Sequence, residues 1–200
     1  MFNVNTSTIM KNQLTIAIRA LLFFTALTGV AYPLLVTGIA QLAFRDRANG
    51  SIVMQNGVAV GSRLIGQAFT SDTYFWGRPS AVGYDARLSG ASNLGPTSAK
   101  LDSMARANRR SYVAVNSIGP NTPIPAEMIF ASASGLDPHI SVDAALQQLP
   151  RVAAARSFNA RKTEAVRAYI LKSNADRTIN PYQRPIVNVL ELNLYINQLQ

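Results

Sequence analysis

Residues 20–44, ALLFFTALTGVAYPLLVTGIAQLAF, carry no charged side chain, and their reading decides the architecture. At about 1.5 Å per helical residue the run exceeds the roughly 20 residues needed to cross a bilayer. Arg19 precedes it, and Arg45, Asp46 and Arg47 close it. Gly29, Pro33 and Gly38 lie inside it, residues that are costly in a soluble helix and better tolerated in a transmembrane one. Pro33 is expected to kink the helix near its middle unless neighbouring side chains satisfy the carbonyl it frees. Two other readings compete. A cleavable signal peptide has an apolar core of about 7–15 residues before a small-x-small site; Gly38-Ile39-Ala40 has that form, but the core is too long. A buried core helix is rarely apolar all round over such a length. The run therefore reads as one membrane span, in a helix over residues 14–44, behind a disordered tail at 1–13 in which Met10 is an alternative start. Lys11 and Arg19 before the span, against Arg45, Arg47 and Arg63 after it, leave its orientation open.

Residues 45–200 suffice for one compact core. The chain has no cysteine, which excludes a disulfide scaffold, a thiolate metal site and a cysteine nucleophile. Hydrophobic residues make up 48% and charged residues 14%, a balance that suits a chain burying surface rather than a disordered one. The net charge of +9 points to an anionic partner, nucleic acid or lipid headgroups. That charge is uneven. Residues 111–150 contain no Lys or Arg but do contain Glu127, Asp137 and Asp143, between basic flanks at 45–110 and 151–184.

Local signals give a mixed α and β domain. Residues 52–60 read as a hairpin around Asn56-Gly57, a pair that takes the positive φ angles of a type I′ turn. From Ser71 to Pro96 Gly, Ser, Pro and aromatics alternate without period, as in a long ordered loop. Thr97 or Ser98 can cap a helix to about Val115. Ala126–Ala131 reads as a strand, followed by a turn over 132–135. Ser141 caps a short helix with Asp143 in its first turn, and another helix spans about 160–173. Ile186-Val187 suggests a strand, and Asn188 with Glu191 has a capping-box pattern for a terminal helix. The fold class is α+β: one N-terminal transmembrane helix, then a mixed α/β soluble domain.

Catalytic motifs are sparse. The single histidine, His139, lies near Ser134 and Asp143, but no nucleophile elbow surrounds the serine. A turn followed by a helix cap explains the same residues. One histidine without cysteines makes no zinc site. The phosphate loop is absent; Leu88-Ser89-Gly90-Ala91-Ser92-Asn93 could present backbone amides to an anion, and a plain surface turn explains the string more simply. Tyr74-Phe75-Trp76-Gly77-Arg78-Pro79 reads as a core anchor or partner-docking segment, not as a base-stacking platform, since only one stretch shows the pattern.

Several strings taken together carry a resemblance. They are Gly29-x-x-Tyr32-Pro33-Leu34-Leu35-x-Thr37-Gly38, Gly61-Ser62-x-Leu64-Ile65-Gly66-Gln67-x-Phe69 and Tyr74-Phe75-x-Gly77-Arg78-Pro79-Ser80-Ala81. Downstream follow Ser89-Gly90-Ala91-Ser92-Asn93-Leu94-Gly95-Pro96-Thr97, residues 131–141 (ASASGLDPHIS), Arg151-Val152-Ala153 and residues 187–193 (VNVLELN). In this order, over about residues 14–196, they resemble the C subunit of the bacterial Kdp potassium-transporting P-type ATPase. The resemblance implies a non-catalytic subunit of a high-affinity, ATP-driven potassium uptake complex in the inner membrane. Its partners would be a potassium-channel-like subunit, a P-type ATP-hydrolysing subunit and a small peptide, along with membrane lipid, and no nucleic acid. The implied topology is single-pass, with a cytoplasmic N-terminus and a periplasmic domain. The implied role includes that of a catalytic chaperone raising ATP affinity in the hydrolysing subunit, with no tightly bound cofactor and potassium as the transported ion.

Ser89, Gly90, Ser92 and Asn93 become nucleotide-contact candidates, although Ala91 stands where the family pattern has a second glycine. Partner-docking candidates are Tyr74, Phe75, Trp76, Arg78, Pro79, Gly29, Tyr32, Pro33 and Gly38. The charge map adds an expectation of its own: Glu127, Asp137 and Asp143 face the ion entrance, while the basic flanks face lipid headgroups or acidic partner surfaces. A membrane-anchored extracytoplasmic hydrolase using Ser134 and His139 is the alternative.

Overall fold

The computed structural model describes residues 6–172 and 185–199, with side chains from Met10 onward. The chain divides into two compact units, Met1–Ser51 and Ile52–Gln200. The structural boundary thus falls a few residues beyond the end of the apolar run.

The first unit is helical. Helix α1, Thr6–Phe24, continues through a π-helical stretch, Thr25–Ala31, into α2, Tyr32–Ala43. Residues 6–13, expected as part of a disordered tail, are therefore helical; residues 1–5 lie outside the described residues. The stretch Met10–Ala43 is long and apolar enough to cross a membrane, and none of it is buried within the protein. The π stretch lies just before Pro33, for a physical reason. Proline has no N–H, and its ring crowds the carbonyl four residues back, here that of Gly29. A widened turn relieves that crowding, and the Tyr32 N–H reaches back five residues to the Leu27 carbonyl. The Thr28 hydroxyl donates to the Phe24 carbonyl at 2.6 Å. At Phe44 the backbone leaves helical geometry (φ −139°), and one further turn, α3 (Arg45–Ala48), follows. There the Gln41 and Asn49 side-chain amides pair reciprocally at 3.1 and 3.2 Å.

The second unit is mixed α and β. Strands β1 (Ile52–Gln55) and β2 (Val58–Ser62) form the expected hairpin, with positive φ at Asn56 and Gly57 and a bulge between Val53 and Met54. No helix or strand is assigned between β2 and helix α4 (Ala99–Asn116). Ser98 caps α4 by accepting from the Leu101 N–H, as Ser141 caps α5 (Val142–Ala155) through the Ala144 N–H. Helix α6 spans Ala160–Lys172. Strand β3 (His139–Ser141) pairs antiparallel with β4 (Ile186–Asn188), Ile140 facing Val187. Asn188 then caps the terminal helix α7 (Val189–Gln198) through the Glu191 N–H. The Glu191 carboxylate pairs with Arg63 at 2.8 Å.

Two local expectations change. The strand read at Ala126–Ala131 is a 3₁₀ turn, Ala126–Met128. Pro125 fixes φ at its entry, and Met128, 4% exposed, drops into the core from there. Helix α5 is also longer than a short helix, because it runs through Pro150. An interior proline costs a helix about 3 kcal/mol; burial of Leu149 and Val152 on either side offsets that cost. The core gathers Phe75, Tyr112, Ile140, Leu149, Val166, Ile170, Val187, Leu192 and Ile196. Beside Met128 of the 3₁₀ turn, it draws one aromatic from the long loop and the rest from α4 to α7 and the β3–β4 pair.

Candidate functional site

The loop over residues 71–96 has no ladder of its own, so its backbone polar groups must find partners elsewhere. Helices α5 and α7 provide them. Asn193 accepts from the Phe75 N–H at 2.8 Å and donates to the Phe75 carbonyl at 3.0 Å. Gln148 does the same for Trp76, at 2.8 and 3.2 Å. Both amide side chains are buried. Two adjacent peptides are thus held as a neighbouring strand would hold them.

Two arginines complete the brace. Arg151 donates to the carbonyls of Asp72 (2.5 Å) and Tyr74 (3.0 Å), to Asn116 Oδ1 and to Gln148 Oε1, and its guanidinium lies over the Trp76 ring. Burial pushes its pKa down, opposed by the nearby Asp72. Arg156 donates to the Thr73 carbonyl at 2.6 Å and to Asn197, and lies over the Tyr74 ring. The second basic flank, read as facing lipid or acidic partners, therefore starts with two cations turned inward. A count of charges along the chain does not distinguish an arginine facing water from one saturating carbonyls.

Further along, the loop stacks on two other segments. Ser132 N–H donates to the Pro79 carbonyl (3.1 Å), Gly90 N–H to the Ser134 carbonyl (2.9 Å) and Gly66 N–H to the Leu136 carbonyl (2.8 Å). Ser80 Oγ donates to the Gly135 carbonyl at 2.6 Å. Gly66 has to be glycine, because a Cβ there would lie 2.7 Å from the Asp137 carbonyl oxygen and 2.8 Å from Tyr84. Gly135, at φ +68°, has both a left-handed backbone and a Cβ direction blocked by Val82 and the Gly90 carbonyl. Strings that are far apart in sequence, at 61–69, 74–81, 89–97 and 131–141, thus meet in one stack.

At its centre Asp137 accepts from Arg78 Nη1 at 2.9 Å and from the His139 backbone N–H at 3.0 Å, with His139 Nδ1 at 3.4 Å. The His139 ring, followed by its N–H and by Arg78, holds the Asp137 carboxyl down at about 2 against the opposing effect of burial. Tyr84 donates to the Arg78 carbonyl; burial, and then the Asp137 charge, push its pKa up to about 12. An open cleft of about 490 Å³ runs past Leu64, Ile65, Arg78, Ser132, Ser134 and Asp137. A smaller one of about 200 Å³ is lined by Phe69, Trp76, Arg78, Tyr84 and Tyr112.

The sequence candidates fall out unevenly. Phe75 is fully buried and belongs to the core rather than to a docking face. Tyr74, Trp76, Arg78 and Pro79 are partly exposed along the stack. Ser89 is exposed and Gly90 partly so, but the Gly90 N–H points at Ser134, which takes it from any anion. Asn93 has φ +52° and is exposed; Ser92 is partly exposed. Glu127 Oε1 accepts from the Ser141 N–H at 2.7 Å, so it and Asp137 are engaged within the fold, while Asp143 is exposed in the first turn of α5. Ser134 Oγ accepts from the Leu136 N–H, and no hydrogen bond joins it to His139 among the described residues. In the first unit Tyr32 is exposed and nothing lies within 4 Å of where a Cβ on Gly38 would be.

Comparison with known proteins covers almost the whole chain. A family model described as KdpC, the c chain of the K⁺-transporting ATPase, matches residues 14–198. A curated potassium-transporting ATPase KdpC subunit of Koribacter versatilis (strain Ellin345) is 43% identical over 196 residues, spanning 96% of this chain and 97% of that one. The subunit of the same name from Janthinobacterium sp. (strain Marseille) is 44% identical over 192 residues, 94% of this chain and all of that one. That of Mycobacterium tuberculosis (strain ATCC 25618 / H37Rv) is 42% identical over 193 residues, 95% of this chain and all of that one.

Proposed function

The chain belongs to the KdpC family of potassium-transporting ATPase c chains, and from that premise we propose that it works as the accessory, non-catalytic subunit of an ATP-driven potassium uptake complex. It stabilises assembly of the channel-like and ATP-hydrolysing subunits, with the small peptide beside them. The observation that carries this reading is that a single match, over residues 14–198, takes in the span and the folded unit together.

The helix Met10–Ala43 anchors the chain in the inner membrane, with the N-terminus cytoplasmic and the second unit periplasmic. Gly29, Tyr32, Pro33 and Gly38 form its face toward partner helices; the space open at Gly38 suits the close backbone approach of small residues in membranes. The stack of Tyr74, Trp76, Arg78 and Pro79 docks a partner subunit. A periplasmic unit does not meet cytoplasmic ATP. The rise in ATP affinity of the hydrolysing subunit is therefore a coupling free energy passed through the membrane helices, without nucleotide on Ser89, Gly90, Ser92 or Asn93. Exposed Asp143, supported by Glu127 and Asp137, faces the ion entrance and draws potassium toward it.

The test is assembly and uptake together. The full-length chain should bring its two large partners through purification in mild detergent, and a chimera with an unrelated apolar helix at 20–44 should not. Neutralising Glu127, Asp137 and Asp143 together should weaken the apparent potassium affinity of the complex. Unchanged uptake at limiting potassium contradicts the ion-facing role.

A further inference from the structure

We propose that the outward apolar face of the β1–β2 hairpin seats in the headgroup region of the bilayer. The observation is the hairpin itself: Ile52 and Met54, 49% and 58% exposed, share one face with exposed Ala59, the cross-strand partner of Met54. These strands form a sheet of two, so each is an edge. Exposed edges are ordinarily blunted by charge or proline, yet residues 52–62 contain neither. An uncharged apolar edge facing water invites aggregation, whereas at an interface it is a means of attachment.

Two facts select lipid as the occupant. The first is covalent reach. Ala43 ends the apolar helix and Ile52 begins the hairpin, and one turn of helix lies between them; the connection therefore spans at most about 25 Å. The hairpin cannot be far from the surface that the helix enters. The second is charge. Arg45 and Arg47 are exposed on the connection against one carboxylate, Asp46, and from Arg47 to Ser71 there is none. Cations beside apolar side chains suit an anionic headgroup layer. The inference rests on the reading of Met10–Ala43 as a membrane span, and its test separates the two.

The absence of cysteine makes the test direct, since any introduced cysteine is the only one. Full-length protein carrying Met54→Cys, Ala59→Cys, Ser103→Cys or Leu34→Cys is labelled with an environment-sensitive fluorophore in vesicles containing anionic lipid. Lipids spin-labelled near the top of the acyl chain should quench the probes at 54 and 59 several-fold more than the probe at 103, an exposed position on α4. Iodide should do the reverse. Lipids labelled deep in the chain should quench the probe at 34. Iodide quenching at 54 and 59 equal to that at 103, while 34 reports insertion, overturns the hairpin proposal and leaves the span standing. Loss of deep quenching at 34 overturns the span reading itself. If adding the partner subunits shields 54 and 59 from iodide without any lipid quenching, the face docks protein and the lipid assignment fails.

Discussion

Asn193 brackets Phe75, taking its N–H at 2.8 Å and giving an N–H to its carbonyl at 3.0 Å across 118 residues of sequence. Both ends of the pair are buried, so water does not replace what the side chain provides. Asn193→Leu keeps the branched shape and the number of side-chain heavy atoms and leaves both backbone groups unpaired. A buried unpaired donor or acceptor costs about 1–3 kcal/mol, so the expected loss is roughly 2–4 kcal/mol, read as a lowered thermal midpoint of the full-length protein in detergent. An unchanged midpoint contradicts the bracing role.

Arg151 and Arg106 are a matched contrast. Arg151 feeds four acceptors from a buried position, whereas Arg106 pairs with Asp102 one turn away in the open. Lysine retains the charge of Arg151 but not its fork. Arg151→Lys should lower stability by roughly 2–4 kcal/mol. Arg106→Ala should leave the unfolding curve where it is. Equal effects at the two positions contradict the account of the inward-facing basic flank.

Asp137 makes stability depend on pH. Its folded pKa is about 2, below the ordinary carboxylate value near 4, so the folded state binds the proton less tightly than the unfolded one. The resulting stabilisation is fully present above about pH 4 and is lost as pH falls toward 2. Allowing for partial solvent exposure, it is worth about 1–2 kcal/mol. Asp137→Asn should be less stable than the parent at pH 7, with the difference closing by pH 2. Parallel stability curves across that range contradict the Arg78–Asp137–His139 arrangement.

Gly66 and Gly95 separate crowding from glycine content. A Cβ at Gly66 would press on Asp137 and Tyr84, while one at Gly95 meets nothing within 4 Å. Gly66→Ala should destabilise by about 1–3 kcal/mol as an overpacked contact, and Gly95→Ala should not destabilise. The measurement is chemical unfolding of the two variants side by side. Tolerance of Gly66→Ala would mean that the stack is looser than the contacts across it require.

What could be read in the sequence follows from the range of the interactions. The uncharged run at 20–44, the Asn56-Gly57 turn, and the caps at Ser98, Ser141 and Asn188 are set by residues a few positions apart, and each is found where it was expected. Residues 126–131 read locally as a strand, and the contact of Met128 with the core makes 126–128 a 3₁₀ turn instead. Helix α5 crosses Pro150 because tertiary burial overrides local propensity there. The site was the least legible part. Gln148 and Arg151 on α5, and Asn193 on α7, are polar residues on helix faces whose other buried members are apolar, which is the one local hint of buried bracing. The loop partners of Gln148 and Asn193 lie 72 and 118 residues away, and no spacing rule reaches that far.

The most direct test of the central claim is purification of the full-length chain, in mild detergent, from membranes that contain the whole transport system. An accessory subunit should elute with the channel-like and ATP-hydrolysing subunits in a fixed ratio, and replacing residues 20–44 by an unrelated apolar helix should break that ratio. If the intact chain elutes alone from membranes holding both large subunits, it is not a structural part of the pump, and the account fails.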